Sequence, residues 1–342
     1  KKGILNINSN IQFGEGGAGT FSDGKLNSLI KDKDTIGRFV LEAFVRFGAP
    51  KEILYKNKPH IGTDILRIIV KNIREYIISK GGELRFDTKM TELLTFGGEI
   101  TGVKAVTNRK GADIEEKIET DCVILAIGHS ARDTFALLKT QKVAMEKKAF
   151  SVGVRIEHLQ KDIDKSQYGI SAELMRELNG AADYKLSHRA SNGRGVYTFC
   201  MCPGGFVVGA ASEEGRLVTN GMSNFDRAGQ NANAALLVSV TPEDFPGDNV
   251  LSGVEFQRKI EENAFLAGGG NWRAPCQLVG DFLLGKESNS VGRIEPSFSN
   301  GFALADLNSI LPKEVAAALK EGIPAFGKKI YGFDAYEAVL TG

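Results

Sequence analysis

A chain of 342 residues with 42% apolar and 25% charged residues has an ordinary globular composition and is long enough for one large domain or two. Its formal net charge of +1 gives no electrostatic reason to expect binding to nucleic acid or to an anionic membrane. Apolar runs such as residues 122–127 fall far below the roughly 20 residues that span a bilayer. The four cysteines form no disulfide framework and no secretory signal is visible, so we expect a reducing compartment, the cytoplasm.

Glycines concentrate in the stretch Gly14–Lys25, which reads GEGGAGTFSDGK. Its glycines at 14, 16 and 19 satisfy the dinucleotide pattern G-x-G-x-x-G, but Gly24 falls within the helix that this pattern requires. The phosphate-loop pattern fails because Leu26 stands where a hydroxyl group must reach Mg²⁺. Two interpretations remain: a flexible surface loop, or a loop whose bare backbone lets a flat or charged ligand approach.

The first half of the chain alternates between helical and strand patterns. Apolar spacing predicts an amphipathic helix over residues 35–47 and a second helix that begins with Thr63 as its N-cap and stops at residues 81–82. A short strand is predicted over residues 83–86, and turn signals then separate three strands over residues 91–96, 100–107 and 114–118. Residues 122–127 read as a buried parallel strand that ends at Gly128.

From about residue 150 the pattern changes to strands followed by helices, which suggests an α+β second domain. Residues 151–157 alternate as a strand, and residues 196–201 are expected to pair with residues 206–211 across a turn at 202–205. Helices are predicted over residues 225–240, 253–266, 315–319 and 336–340, with a loop over 268–275. We therefore divide the chain into an α/β part, residues 1–149, and an α+β part, residues 150–342.

Few side chains stand in patterns that indicate chemistry. His60 follows a proline and acts either as an acid or base near neutral pH or in a structural role. Cys200-x-Cys202 places both thiols on one face of an extended segment, although a redox pair usually reads C-x-x-C. A structural zinc site needs four ligands and no partnering Cys/His pair is spaced for one, so no metal is expected. Arg155 and Glu157 share one strand face, where they bind substrate or pair with other groups.

Six segments carry a resemblance to a known family. They are Phe13–Leu26, Lys58–Thr63, Ala126–Thr134, Phe150–His158, Phe199–Gly205 and Ser212–Ser223. Together they resemble a family of bacterial FAD-dependent dehydrogenases, often labelled NAD-utilizing dehydrogenases, in the glutathione-reductase-like FAD superfamily. The resemblance implies a partial FAD/NAD(P)-binding domain with a β-meander over residues 1–149 and an inserted α+β cap domain over residues 150–342. It also implies that the chain is truncated at both ends, lacks the opening fingerprint, and binds FAD weakly or not at all.

The resemblance further implies which residues lie against the cofactor. They are Gly16, Gly17, Ala18, Gly19, Thr20, Ser22, Lys25, Thr91, Gly128, His129 and Ser130. The glycines would give close backbone approach, Thr20 and Ser22 would donate hydrogen bonds, and Lys25 would stabilise an anionic reduced flavin. The turn after the strand at 122–127 would meet the cofactor at the carboxyl end of that strand.

The expected activity is transfer of hydride or electrons between an unidentified small-molecule substrate and the flavin. NAD(P)H is implied as a partner by the family's label alone, and the candidates for catalysis are Lys25, His60, Cys200 and Cys202. The alternative is a domain for substrate recognition or protein interaction that holds no cofactor. The sequence names neither the substrate nor an oligomeric state.

Overall fold

The computed structural model describes residues 4–26, 35–109 and 111–342. Within these ranges the helices are α1 (Gly17–Thr20), α2 (Ile36–Arg46), α3 (Thr63–Ser79), α4 (Arg132–Thr140), α5 (Gln160–Tyr168), α6 (Ala172–Asn179), α7 (Ser252–Ala267), α8 (Val279–Leu284), α9 (Leu307–Ile310) and α10 (Lys313–Gly327). The strands are β1 (Thr88–Phe96), β2 (Glu99–Arg109), β3 (Ala112–Glu119), β4 (Phe150–Leu159), β5 (Ser187–Arg189), β6 (Gly195–Gly209), β7 (Thr219–Met222), β8 (Asn231–Val240), β9 (Ala274–Leu278), β10 (Phe302–Leu304) and β11 (Val339–Thr341).

These strands form two sheets. β1, β2 and β3 make an antiparallel meander in chain order. The larger sheet has the order β10-β9-β11-β4-β8-β6-β5, and β7 pairs with the far end of β6. Only β9 and β10 run parallel among the described strands, so the larger sheet is mainly antiparallel and comes entirely from the second part of the chain.

Two apolar clusters hold these elements together. The larger one draws its buried members from residues 154–340, where Phe282, Phe326 and Phe333 are fully buried. The smaller one is built on Ile61 and Ile69, with side chains of α2 and α3 packed around them. The loop at residues 14–25 lies next to this smaller cluster, because Leu26 packs against it.

Several sequence predictions are confirmed. The helices expected at residues 35–47 and 253–266 are α2 and α7, the three predicted meander strands are β1 to β3, and the strand over 151–157 is β4. The helix expected at Thr63 is α3, but Thr63 is its first residue and Gly62 precedes it as N-cap. The Thr63 hydroxyl instead donates to the carbonyl of Thr20 at 2.6 Å, which ties α3 to the glycine loop.

The helix predicted over residues 225–240 is wrong, because most of that stretch is β8, an interior strand of the larger sheet. Its residues alternate between buried and half-buried from Ala234 onward, and its neighbours are β4 and β6. Tertiary pairing on both edges overrides the helical propensity of its alanine and leucine residues. The helix predicted at 336–340 is wrong for the same reason, since Val339–Thr341 pairs with both β4 and β9. Likewise, the loop predicted over 268–275 ends in strand β9.

The hairpin predicted across residues 202–205 is also wrong. β6 continues through this point as one strand of 15 residues. Its partner changes there, because β8 pairs with β6 as far as Gly205 and β7 pairs with it from Phe206 onward. The glycine-rich stretch at residues 202–205, which was predicted to be a turn, is therefore the place where β6 ends its pairing with β8 and begins its pairing with β7.

The buried parallel strand predicted over residues 122–127 is wrong in this structure. The segment forms no ladder, and Ile124 and Leu125 are 87% and 39% exposed. A parallel strand needs neighbours that complete its backbone hydrogen bonds, and none of the described ranges supplies one. The short strand predicted over residues 83–86 is absent from the described structure for the same reason.

Candidate functional site

The glycine loop, residues 14–25, is a succession of tight turns. Gly14, Gly16 and Gly17 have φ angles of 98°, 76° and 48°, a region that favours glycine. A Cβ atom added to Gly16 would lie 2.0 Å from the Thr20 Oγ1 atom. The loop therefore cannot carry a side chain at Gly16 without moving Thr20, and its backbone stays bare and exposed at this point.

Thr20 has a hydroxyl group with no hydrogen-bond partner among the described residues. The residue is only 5% exposed, and its carbonyl already accepts from Thr63. A buried polar group that is left unpaired costs on the order of 1–3 kcal/mol. The Thr20 Oγ1 atom is itself closed off from solvent beside Gly16, so a ligand that supplies hydrogen-bonding oxygens to this loop, as the phosphates of FAD do, reaches the hydroxyl only when the backbone at Gly16 shifts.

Two other predicted side chains of the loop are engaged with the protein itself. The Ser22 hydroxyl donates to the Gly19 carbonyl at 2.7 Å and accepts from the Gly24 N–H at 3.0 Å. The Lys25 ammonium group donates to the Met201 carbonyl and lies 2.9 Å from the Asp23 carboxylate. Both side chains build and anchor the loop in this structure.

Asp23 is the anchor that fastens the loop to the segment after β7. Its carboxylate accepts hydrogen bonds from Arg227 Nε and Nη2, at 2.9 and 2.6 Å, and from the Ser223 hydroxyl. Burial alone would raise the pKa of Asp23, but Lys25, Arg227 and Ser223 outweigh it and hold the pKa at about 2. The carboxylate is therefore ionised at neutral pH although it is only 3% exposed.

His60 lies beside this anchor. An isolated antiparallel bridge pairs it with Lys25, and its neighbour Ile61 donates its N–H to the Gly24 carbonyl at 3.1 Å. The His60 Nε2 atom lies 2.9 Å from the Phe225 carbonyl oxygen, and the two rings stack with centroids 5.2 Å apart. Burial and then Arg227 lower the pKa of His60. The structure therefore brings Lys25 and His60 together.

The turn at residues 128–130 reaches the glycine loop through Gln12. The Ser130 hydroxyl donates to Gln12 Oε1 at 3.3 Å, and Gln12 Nε2 donates to the Ala210 carbonyl at 3.0 Å. His129 instead accepts from Gln257 Nε2 at 3.1 Å, on α7. Ser130 is thus near the loop even though the strand predicted before it is absent.

Arg132 follows this turn and is buried at the start of α4. Its guanidinium group makes two hydrogen bonds to Glu261, at 2.8 and 2.5 Å, and one to Glu213 at 2.6 Å. Arg258 contacts the same Glu213 carboxylate. This network connects the turn to the second part of the chain.

The two cysteines of β6 do not share a face, contrary to the sequence prediction. Cys200 has a φ angle of 42° within a register shift and is exposed, whereas Cys202 is 1% exposed. Burial raises the pKa of the Cys202 thiol. Arg155 Nη2 donates to the Cys200 carbonyl at 3.2 Å and lies 3.9 Å from Cys202 Sγ. The register shift between Phe199 and Cys202 therefore leaves Cys200 exposed and Cys202 buried, so the two thiols do not face the same side of the strand.

The remaining candidates have structural partners. Arg155 is buried and donates to Asn233, and the buried Glu157 accepts from Asn231 and from Ser297. The Thr91 hydroxyl contacts the Lys104 carbonyl at 3.4 Å, inside the meander. Across the described ranges there is no group of three His, Cys, Asp or Glu side chains that could hold a metal ion.

Sequence reasoning missed the residues that dock the loop. Asp23 lies inside the motif, where it and Glu15 are the two carboxylates of a Gly-rich loop, and a charged side chain in such a loop is a signal that could have been used. Gln12 and Arg227 had no such signal, because tertiary contacts about 200 residues apart bring them to the loop. The Asn220 side chain, 3.5 Å from the Phe21 carbonyl, was missed for the same reason.

Together these features define a mixed α/β protein in which a glycine loop with an unpaired buried hydroxyl is fastened to an antiparallel sheet. The family described as FAD-dependent protein, C-terminal domain-like, matches residues 149–342. This match covers more than half of the chain, and the chain belongs to that FAD-dependent family.

A relative from Clostridium beijerinckii, itself described as an uncharacterized protein, is 50% identical over 343 residues. The alignment covers 100% of this chain and 62% of that relative, so the chain spans less than two thirds of the relative's length. No helix in the described ranges is both long enough and apolar enough to cross a membrane.

Proposed function

We propose that this chain forms one wall of an FAD site in a flavoprotein oxidoreductase, a dehydrogenase, and that residues 150–342 form its cap domain. Membership of an FAD-dependent family supports the cofactor. The observation that carries the assignment of the site is the unpaired Thr20 hydroxyl beside the bare backbone of the glycine loop.

Each part of the loop has a task in this proposal. Gly16 and Gly19 leave their backbone open to the cofactor, and a shift at Gly16 lets the buried Thr20 hydroxyl donate to one of its oxygens. Asp23 and Lys25 hold the loop against β6 and the segment after β7. Ser130 supports the loop from the other side through Gln12. FAD, when bound, supplies the hydride or electron transfer with the substrate, and NAD(P)H is the proposed partner reductant.

The exposed segment 122–127 supports a proposal about the cofactor domain. Six consecutive apolar residues expose Ile124 almost completely and lack ladder partners among the described residues. We propose that residues 1–149 are part of a larger FAD domain, and that another segment of a longer protein pairs with 122–127. The greater length of the Clostridium relative supports this proposal.

Thr20→Val tests the site because it separates binding from stability. Valine removes a buried hydroxyl that has no partner, so we expect unchanged or slightly higher stability in urea unfolding. The affinity for FAD, measured by quenching of flavin fluorescence, is expected to fall by up to about tenfold, the equivalent of one hydrogen bond of ~1.4 kcal/mol.

Thr63→Val is the matched control. The Thr63 hydroxyl is paired with the Thr20 carbonyl, so its removal is expected to cost about 1 kcal/mol of stability. If Thr20→Val loses stability as Thr63→Val does and binds FAD as tightly as the unaltered chain, the assignment of Thr20 is wrong. If the unaltered chain quenches no flavin at all while it binds a protein partner, the alternative of an interaction domain replaces the proposal.

A further inference from the structure

We propose that His60 is the proton-accepting residue of this site, and that it takes up a proton at Nδ1 from an O–H or N–H group of the substrate. The inference rests on the proposed function, because it needs a ligand beside the glycine loop. It adds a residue that does chemistry to a site whose other residues bind or anchor.

The hydrogen bond to Phe225 fixes the tautomer of His60. A carbonyl oxygen only accepts, so the Nε2 atom at 2.9 Å from it must carry the hydrogen. In a neutral imidazole, the lone pair then lies on Nδ1. Nδ1 has no hydrogen-bond partner within the described ranges, and it is not among the unpaired polar atoms that are sealed from solvent.

The position of the ring is set by the loop itself. The Lys25–His60 bridge and the bond from Leu26 N–H to the Pro59 carbonyl, at 3.0 Å, hold the backbone of His60 against the glycine loop. The Phe225 ring stacks on the imidazole with an interplanar angle of 25° and restricts its rotation. The imidazole is therefore held in one orientation at the edge of the proposed FAD wall.

The charged groups around the ring favour a neutral base. Burial, Arg227 and Lys25 lower the pKa of His60, while the Phe225 carbonyl and Asp23 raise it, and the net direction is downward. A base must be unprotonated before it can accept, and a lowered pKa keeps it so at neutral pH. On proton transfer, the substrate O–H or N–H bond breaks, its electron pair stays on the substrate, and an N–H bond forms at Nδ1. The imidazolium charge then lies near the ionised Asp23.

His158 shows that the tautomer alone does not make a base. Its Nε2 atom also bonds to a carbonyl, that of Phe333 at 2.8 Å, but its Nδ1 atom is buried without a partner. Its burial lowers its pKa to about 4. His158 is therefore the internal control, with the same tautomer but a ring enclosed by Tyr184 and Phe333 of the larger apolar cluster.

Nitrogen-15 NMR of the histidine side chains tests the inference in the 342-residue chain, with His60→Gln to assign the signal. We expect hydrogen on Nε2 and a pKa below 6.5 for His60. Arg227→Gln should raise that pKa and Asp23→Asn should lower it, because the cation and the carboxylate act on the ring in opposite directions. Hydrogen on Nδ1, or a pKa above 6.5 in the unaltered chain, would overturn the proposal.

A second arm adds FAD and follows flavin quenching together with the histidine signals. We expect quenching, a change in the Nδ1 signal of His60 and no change in that of His158. Quenching without any change at His60 overturns the inference and leaves the FAD site standing. Absence of quenching even at an FAD concentration high enough to detect weak binding counts against the proposed function. The tautomer and the opposite directions of the two pKa changes then test His60 independently of FAD.

Discussion

Asp23 lies where the glycine loop meets the segment after β7, and its carboxylate contacts Lys25, Arg227 and Ser223. A carboxylate that is almost completely buried is tolerated only when its charge and its lone pairs are matched. Here the cations of Lys25 and Arg227 balance the charge of Asp23, and the Ser223 hydroxyl donates a further hydrogen bond to it. One side chain thus determines whether a run of glycines, which has little conformational preference, stays in one place.

We expect Asp23→Asn to cost about 2 kcal/mol at neutral pH. The folded pKa of about 2 lies below the reference value of 3.8, so the contribution is complete above pH 3.8 and is lost as the pH falls through 2. Urea unfolding of the unaltered chain and of Asp23→Asn between pH 7 and pH 3 measures the difference between their free energies of unfolding. This difference should become smaller only at the acidic end of the range. Ser223→Ala removes one hydrogen-bond donor and no charge, so it should lower the free energy of unfolding by less. If Asp23→Asn is as stable as the unaltered chain at pH 7, the argument is refuted.

Among the elements, β6 differs from the other strands of the larger sheet because it exchanges β8 for β7 as a partner along its length. Its register shifts at Cys202 and at Gly205 let the segment that carries Arg227 cross close to the strand. Gly204 has a φ angle of 48°, and a Cβ atom there would lie 1.7 Å from the carbonyl oxygen of Arg227. The missing side chain at Gly204 therefore brings Arg227 within reach of Asp23.

Gly204→Ala is expected to destabilise the chain by about 3 kcal/mol, from overpacking and from backbone strain. It should also weaken FAD binding, because Arg227 moves away from Asp23. Gly209→Ala on the same strand is the control, since the nearest atom to its added Cβ is a Phe298 side-chain carbon at 3.4 Å. Thermal unfolding of the two variants compares them, and equal melting temperatures would contradict this account of β6.

For the molecule as a whole, the question is what joins the first 149 residues to the larger sheet. Two buried ionic networks do so among the described residues: the one at Asp23, and the one in which Arg132 reaches Glu213 and Glu261. Both lie beside the proposed cofactor wall. The geometry of the site therefore depends on the contacts between the two parts of the chain, more than on the structure of either part alone.

Arg132→Met should destabilise the chain by about 3 kcal/mol, because it leaves the Glu261 carboxylate, which is only 13% exposed, without its cation. The loss should appear as earlier unfolding in urea. Lys259→Met breaks an exposed ion pair with Glu262 on α7, the helix that also carries Glu261. It should change the urea midpoint of unfolding very little. A similar small change in both variants would mean that the Arg132 network does not join the two parts.

Local patterns predicted the elements whose pairing lies close in sequence, such as the meander and the helix α7. They failed at β8 and β11, where two distant strands decide the conformation, and at residues 122–127, where a strand pattern has no partner in the described structure. Of the residues in the proposed site, the sequence analysis named the glycine loop and His60 as candidates. Arg227 and Gln12 were not, because nothing local marks a side chain whose task is set by a contact across the fold.

The exposed stretch at residues 122–127 also affects how this chain behaves in concentrated solution. It reads Cys-Val-Ile-Leu-Ala-Ile, with no charge and no proline, and it lies outside the sheets of the described structure. Such windows readily stack between molecules as intermolecular strands and are typical starting points of aggregation. Unless another strand covers it, this stretch is where copies of the chain would first adhere to one another, and the thiol of Cys122 would be carried into that contact.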